Sequence, residues 1–198
     1  GDAAASRLAR VAENLHACGH AVAPTSRAFD AARDDAFAAA RAFFARPLEE
    51  KRARVAHASR AATRGYAAPR SENYAALGGV CGRPNDDVEK WRTEVWLPFG
   101  GDDGGSGDYD GPFAAFAAAA AELGVRLVDA CAKRGGWAAP TRGCAATLTV
   151  NGYGFDGAAR DAGDALVEAH ADVGLLTIVA FDDGACGRLE LWDGAEWA

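Results

Sequence analysis

The chain has 198 residues, enough for one domain with a sizeable core. Its formal net charge of −7 and pI near 5.1 argue against nucleic acid or an anionic membrane surface as partner. Hydrophobic residues make up 49%, but many are alanine, so the large side chains must mark the core.

Leu8, Val11 and Leu15, followed by Cys18, recur at helical spacing. Residues 6–17 are therefore predicted as a helix that Ser6 caps and Gly19 ends. Residues 20–23 form a short extended piece before Pro24. Thr25 or Ser26 caps a second predicted helix, with the stripe Phe29, Phe37, Ala40 and Phe44, stopped near Pro47. Residues 48–55 are a third, short and charged, with Glu49 and Glu50 placed early to suit the helix dipole. Residues 60–84, rich in Gly, Ala and Arg, are expected to be irregular. Residues 89–99, with Trp91, Val95, Trp96 and Leu97, are expected to be extended. Residues 100–111 are dense in glycine and aspartate and read as a surface loop. No frame of that loop has the acidic positions, sixth-position Gly and terminal Glu of a calcium site.

Pro112 opens the clearest helix, where Phe113, Phe116, Ala120, Leu123, Leu127 and Cys131 recur at steps of three and four. Lys133 and Arg134 fall in its last turn and Gly135-Gly136 ends it. The longest strictly apolar run, residues 113–121, falls far short of the about 20 residues that span a bilayer. No signal peptide is visible at the N-terminus. From residue 144 the period changes. Residues 144–153 read as a strand around Leu148 and Val150, and residues 175–181 as a buried strand. Asp182-Asp183-Gly184 is a turn, residues 189–192 are a further strand, and Asp193-Gly194 turns before Glu196-Trp197. No internal repeat is evident. Residues 1–140 are thus mainly helical, and residues 141–198 open a β domain.

The five cysteines, Cys18, Cys81, Cys131, Cys144 and Cys186, contain no CxxC pair. An odd number at wide spacing reads as reduced thiols of a cytoplasmic protein, not as a disulfide scaffold or zinc site. His16 and His20 lie four apart, but Gly19 interrupts the helix between them, so a helix-end pair is favoured over a metal chelate.

His170-Ala171-Asp172 carries the sharpest chemistry. A strand places residues i and i+2 on one face, so an imidazole and a carboxylate can grip one ion side by side. Two His and one carboxylate on one face of an octahedral ion form the facial triad of non-haem Fe(II) oxygenases. Alone, such a triplet is more often a solvated turn. No histidine follows Asp172, and the chain begins at Gly1 with no methionine anywhere. Both features are read as those of a piece of something longer.

In its context, Glu168-Ala169-His170-Ala171-Asp172-Val173-Gly174-Leu175-Leu176-Thr177, the triplet resembles the iron- and 2-oxoglutarate-dependent dioxygenases of the isopenicillin N synthase-like superfamily. Further segments resemble that family in the right order. Residues 15–23 are similar to its Gly-Phe-x-x-x-x-Asn-His segment, in weakened form. Phe43-Phe44-Ala45-Arg46-Pro47-Leu48-Glu49-Glu50-Lys51 is similar to its Phe-Phe-x-Leu-Pro-x-Glu-x-Lys. Arg64-Gly65-Tyr66 matches its Arg-Gly-Tyr, and Glu89-Lys90-Trp91-Arg92-Thr93-Glu94 resembles its Asp-Trp-x-Glu region. Leu189 to Trp197 looks like its Leu-Gln-Val-x-x-x-Gly-x-Trp hairpin.

The resemblance implies an α+β fold: a helical N-terminal region, residues 1–140, packed on a double-stranded β-helix (jelly roll), of which residues 141–198 are the first part. It implies Fe(II) held by His170, Asp172 and a distant His. It also implies that Asn151 and Tyr153, in Asn151-Gly152-Tyr153, reach the cosubstrate 2-oxoglutarate or line its pocket. Gly154 stands where the family has Pro, and Gly152 where it has an aromatic. The family's Arg-x-Ser, which pairs with the far carboxylate of 2-oxoglutarate, follows the distal His and is absent; no arginine follows Arg188. The implied activity is oxidation of a small-molecule substrate by O2, with 2-oxoglutarate decarboxylated to succinate, impaired in this chain as it stands. The complete protein is expected to be a monomer. Two alternatives remain open: an iron oxidase of the same superfamily that does not use 2-oxoglutarate, and a non-catalytic interaction module.

Overall fold

The computed structural model describes residues 2–54, 65–72, 88–96, 110–139, 145–153 and 174–182, with the single positions 167, 170, 172, 191, 195 and 196. These form four helices and one three-stranded antiparallel sheet, so the chain is α+β. The strand expected at 189–192 lies mostly outside the described residues, as does the loop before residue 110. The described strands form a single three-stranded sheet, and a jelly roll is not seen among the described residues. Among the described residues no helix is long and apolar enough to cross a membrane.

Helix α1 (Asp2–Cys18) starts before the expected Ser6 cap, which lies in its interior. The alanines ahead of Ser6 are the best helix formers and extend the helix backwards. It ends at Gly19, which takes φ 77° and donates its N–H to the Leu15 carbonyl at 3.0 Å. That left-handed cap suits glycine.

Helix α2 (Arg27–Phe44) is capped by Ser26, whose Oγ accepts from the Phe29 N–H at 3.1 Å. Its buried stripe is Phe29, Ala36, Ala40 and Phe43, not the expected Phe29, Phe37, Ala40 and Phe44. Phe37 and Phe44 flank the stripe and are half-buried. Helix α3 (Leu48–Arg54) has Glu49 and Glu50 in its first turn, yet buries Lys51 almost completely.

Helix α4 (Asp110–Gly135) begins two residues before Pro112, which sits in the first turn, where no backbone N–H is needed. It buries Phe113, Phe116, Ala117, Leu123, Leu127 and Ala132. Phe116 meets Phe29 of α2 edge-on, with ring centroids 5.3 Å apart. At its end Gly136 takes φ 70° and Trp137 donates to the Ala132 carbonyl at 3.1 Å.

The sheet order is β1 (Gly65–Ala67), β2 (Glu89–Trp96), β3 (Ala145–Gly152). Strand β1 lies in a stretch expected to be irregular. Its three residues are buried, and Tyr66 pairs with Trp91 of β2. Across β2 and β3, Glu89 faces Gly152, Lys90 faces Asn151, Trp91 faces Val150 and Arg92 faces Thr149. Strand alternation therefore sorts the sheet into two faces. Tyr66, Glu89, Trp91, Leu148, Val150 and Gly152 face the helices. Lys90, Arg92, Thr149 and Asn151 face the other way. The Phe43 ring fits among Phe44, Tyr66 and Trp91 at 5.3, 5.7 and 5.2 Å, each contact edge-on. The core is thus where α2, α4 and the sheet meet.

Residues 175–181, expected as a buried strand, are half buried and belong to no ladder among the described residues. Leu176, Ile178 and Ala180 pack on the core, whereas Leu175, Val179 and Phe181 are exposed. Ile178 lies against Gly124 of α4, and Asp182 pairs with Arg41 of α2.

Candidate functional site

His170 and Asp172 come just before this half-buried stretch. With Leu176 and Ile178 turned into the core, the intervening Thr177 points outward. Its Oγ1 donates to Asp172 Oδ2 at 2.6 Å. His170 Nε2 lies 3.4 Å from the other oxygen, Asp172 Oδ1. Both side chains keep solvent contact. Adjacent ligands of an octahedral ion with bonds of about 2.1 Å stand about 3 Å apart. The two donors stand a few tenths of an ångström further apart than that. Thr177 fixes which carboxylate oxygen faces the imidazole, the role that supporting hydrogen bonds play around metal ligands. Among the described residues no group of three His, Cys, Asp or Glu could hold an ion. His16 and His20 are divided by the end of α1, and His20 Nδ1 lies 3.2 Å from the Cys18 carbonyl instead. Cys18 and Cys131 are free thiols.

Asn151 and Tyr153 form a second pair at the end of β3. Asn151 Nδ2 donates to Tyr153 Oη at 3.3 Å, and both residues are exposed. Two neutral donors open to solvent can bind a carboxylate without an ion pair. The same sheet face holds a charged cluster that the sequence reading did not anticipate. Glu72, just after β1, accepts from Lys90 Nζ at 2.9 Å, from one Arg92 nitrogen at 2.6 Å, and from the other Arg92 nitrogen through its second oxygen. Burial pushes the Glu72 carboxyl up, but the hydrogen bonds and charges of Arg92 and Lys90 prevail and hold it at about 2.

On the helix-facing side lies a second unanticipated group. Glu89 Oε2 accepts from Lys51 Nζ and from Tyr66 Oη, each at 2.6 Å. Lys51 Nζ also donates to the Phe44 carbonyl at 3.0 Å and sits 5.7 Å from the centre of the Tyr66 ring. Lys51 and Glu89 are 3% and 5% exposed, a depth at which a charge persists only when paired and hydrogen-bonded. Burial, the Glu89 hydrogen bond and the Glu89 charge push the Tyr66 hydroxyl far above the usual phenol range. One signal lay in the sequence: Lys51, Tyr66 and Glu89 each come from a different segment that resembles the dioxygenase family, and folding brings the three together.

No protein-family model and no curated protein matches the chain. Among solved structures the chain is similar to a Caulobacter crescentus protein provisionally assigned to the 2OG-Fe(II) oxygenase family, at 23% identity and a TM-score of 0.47. The match covers 67% of this chain and 46% of that protein, so it spans less than half of that protein's length.

Proposed function

We propose that the chain carries part of the iron and 2-oxoglutarate site of a non-haem dioxygenase that oxidises a small-molecule substrate with O2. The supporting observation is the 3.4 Å approach of His170 Nε2 to Asp172 Oδ1, with Thr177 holding the other carboxylate oxygen. In this reading His170 and Asp172 supply two of the protein ligands to Fe(II). Asn151 and Tyr153 donate to a carboxylate of 2-oxoglutarate. In the same reading β3 opens the jelly roll. A bound Fe(II) would supply the means to activate O2 for oxidative decarboxylation of 2-oxoglutarate. In this reading the chain's own residues orient the ligands and bind the cosubstrate.

The test is the binding of Fe(II) and 2-oxoglutarate, read by calorimetry, together with succinate formation. Wild type is expected to bind both. His170→Ala should lose Fe(II) binding about 100-fold and abolish succinate formation, since Asp172 loses the imidazole beside it. Stoichiometric Fe(II) binding and turnover by His170→Ala would remove the ligand assignment.

A further inference from the structure

The buried group behind the sheet and the exposed pair in front of it meet at one glycine. Gly152 lies between Asn151 and Tyr153 and opposite Glu89 in the ladder. A Cβ on Gly152 would stand 2.9 Å from Phe44 Cγ, 3.0 Å from Phe44 Cδ2 and 3.0 Å from Glu89 Cγ. The strand end is therefore pressed against two side chains with no space between. One ammonium bonds both residues: Lys51 Nζ donates to the Glu89 carboxylate and to the Phe44 carbonyl, which holds the backbone from which the Phe44 ring projects. Tyr66 supplies a second hydrogen bond to Glu89 from the neighbouring strand.

Resting on the function proposed above, we infer that Lys51 is a positioning residue for the 2-oxoglutarate pair. By tying Glu89 to Phe44 it fixes the wall against which Gly152 rests, and so the position at which Asn151 and Tyr153 present their donors. A side chain at residue 152 would push the strand end off this wall, so the lack of a Cβ there is part of the device. Lys51 touches neither cosubstrate nor metal; it acts through Glu89, Phe44 and Gly152.

The test separates positioning from stability. Lys51→Met alone leaves the Glu89 carboxylate buried without its cation and should lower the melting temperature. Lys51→Met combined with Glu89→Gln removes both charges at similar volume, a change that often restores stability. The double variant should regain most of the wild-type melting temperature. It should nevertheless bind 2-oxoglutarate about 10-fold more weakly, a loss corresponding to about 1.4 kcal/mol. Its amide NMR signals at Asn151, Gly152 and Tyr153 should shift. Gly152→Ala, which leaves the ion pair intact, should move the same signals and weaken binding to a similar degree. Either variant, folded, with wild-type signals at residues 151–153 overturns the inference, as does an affinity that follows melting temperature alone. Absence of 2-oxoglutarate binding by the wild type would count against the proposed function, and the NMR signals would then decide the positioning role on their own.

Discussion

Glu72 serves two cations with a single carboxylate, which makes it a point of acid sensitivity. Its carboxyl is held at about 2, against an ordinary 4.5. A depressed carboxylate stabilises the fold fully above its unfolded value, and that contribution is lost as pH falls through the folded one. Such a shift is worth at most ~3 kcal/mol, and nearer ~1–2 kcal/mol once solvent screening of a partly exposed group is counted. Urea unfolding of wild type and Glu72→Gln should therefore differ at pH 7 and converge between pH 4.5 and 2. A gap that persists unchanged to pH 2 would mean that the Glu72 charge carries none of this stability. At this scale the sequence yields what is local. His170 and Asp172 are two apart, and strand spacing alone suggests that they share a face. Lys51 and Glu89 are far apart in sequence, and only the ladder that sets Glu89 beside Tyr66 and Gly152 makes them partners. A lysine in a charged helical turn reads as solvated, and no periodicity reveals the buried carboxylate waiting for it.

Among the elements, the helices owe their ends to single residues. Ser26 offers Oγ to one of the backbone N–H groups that open α2. Ser26→Ala should cost about 1 kcal/mol, seen as a lower melting temperature with an unchanged native circular dichroism spectrum. An unaltered melting temperature would show that another group satisfies that N–H. The helices were legible because apolar side chains recur at their period, yet in α2 the expected Phe37 and Phe44 give way inside to their neighbours Ala36 and Phe43. Phe43 and Phe44 are adjacent and chemically identical, so only the fit of Phe43 among Tyr66 and Trp91 decides which is interior. Residues 175–181 misled in another way. They are almost uniformly apolar, so no alternation in the sequence marks an inner and an outer face. In the fold Leu176, Ile178 and Ala180 turn inward, and the other side stays in solvent. Strand β1 is not legible in the sequence because three residues are too few to show a period.

Across the whole molecule, the helical layer and the sheet bury a shared aromatic centre, and the two candidate donor pairs lie at its margins, His170 with Asp172 and Asn151 with Tyr153. The ladder between β2 and β3 has a consequence in time. The chain between Trp96 and Ala145 contains all of α4, so even the nearest pair of that ladder closes a long loop. Loop entropy is lost before such contacts form, and non-local pairing slows folding. Phe29 and Phe116 are still further apart in sequence than any pair of that ladder, so the ladder should close first and the packing of α1 and α2 on α4 should follow. Chevron analysis should then find that Val150→Ala mainly slows folding while Phe116→Ala mainly speeds unfolding. Equal slowing of folding by both would place the helix packing in the nucleus as well. Until the helices pack on the sheet, Lys51 and Glu89 remain in water, so the buried ion pair belongs to the last stage of folding, and the wall behind Gly152 is the last to take shape.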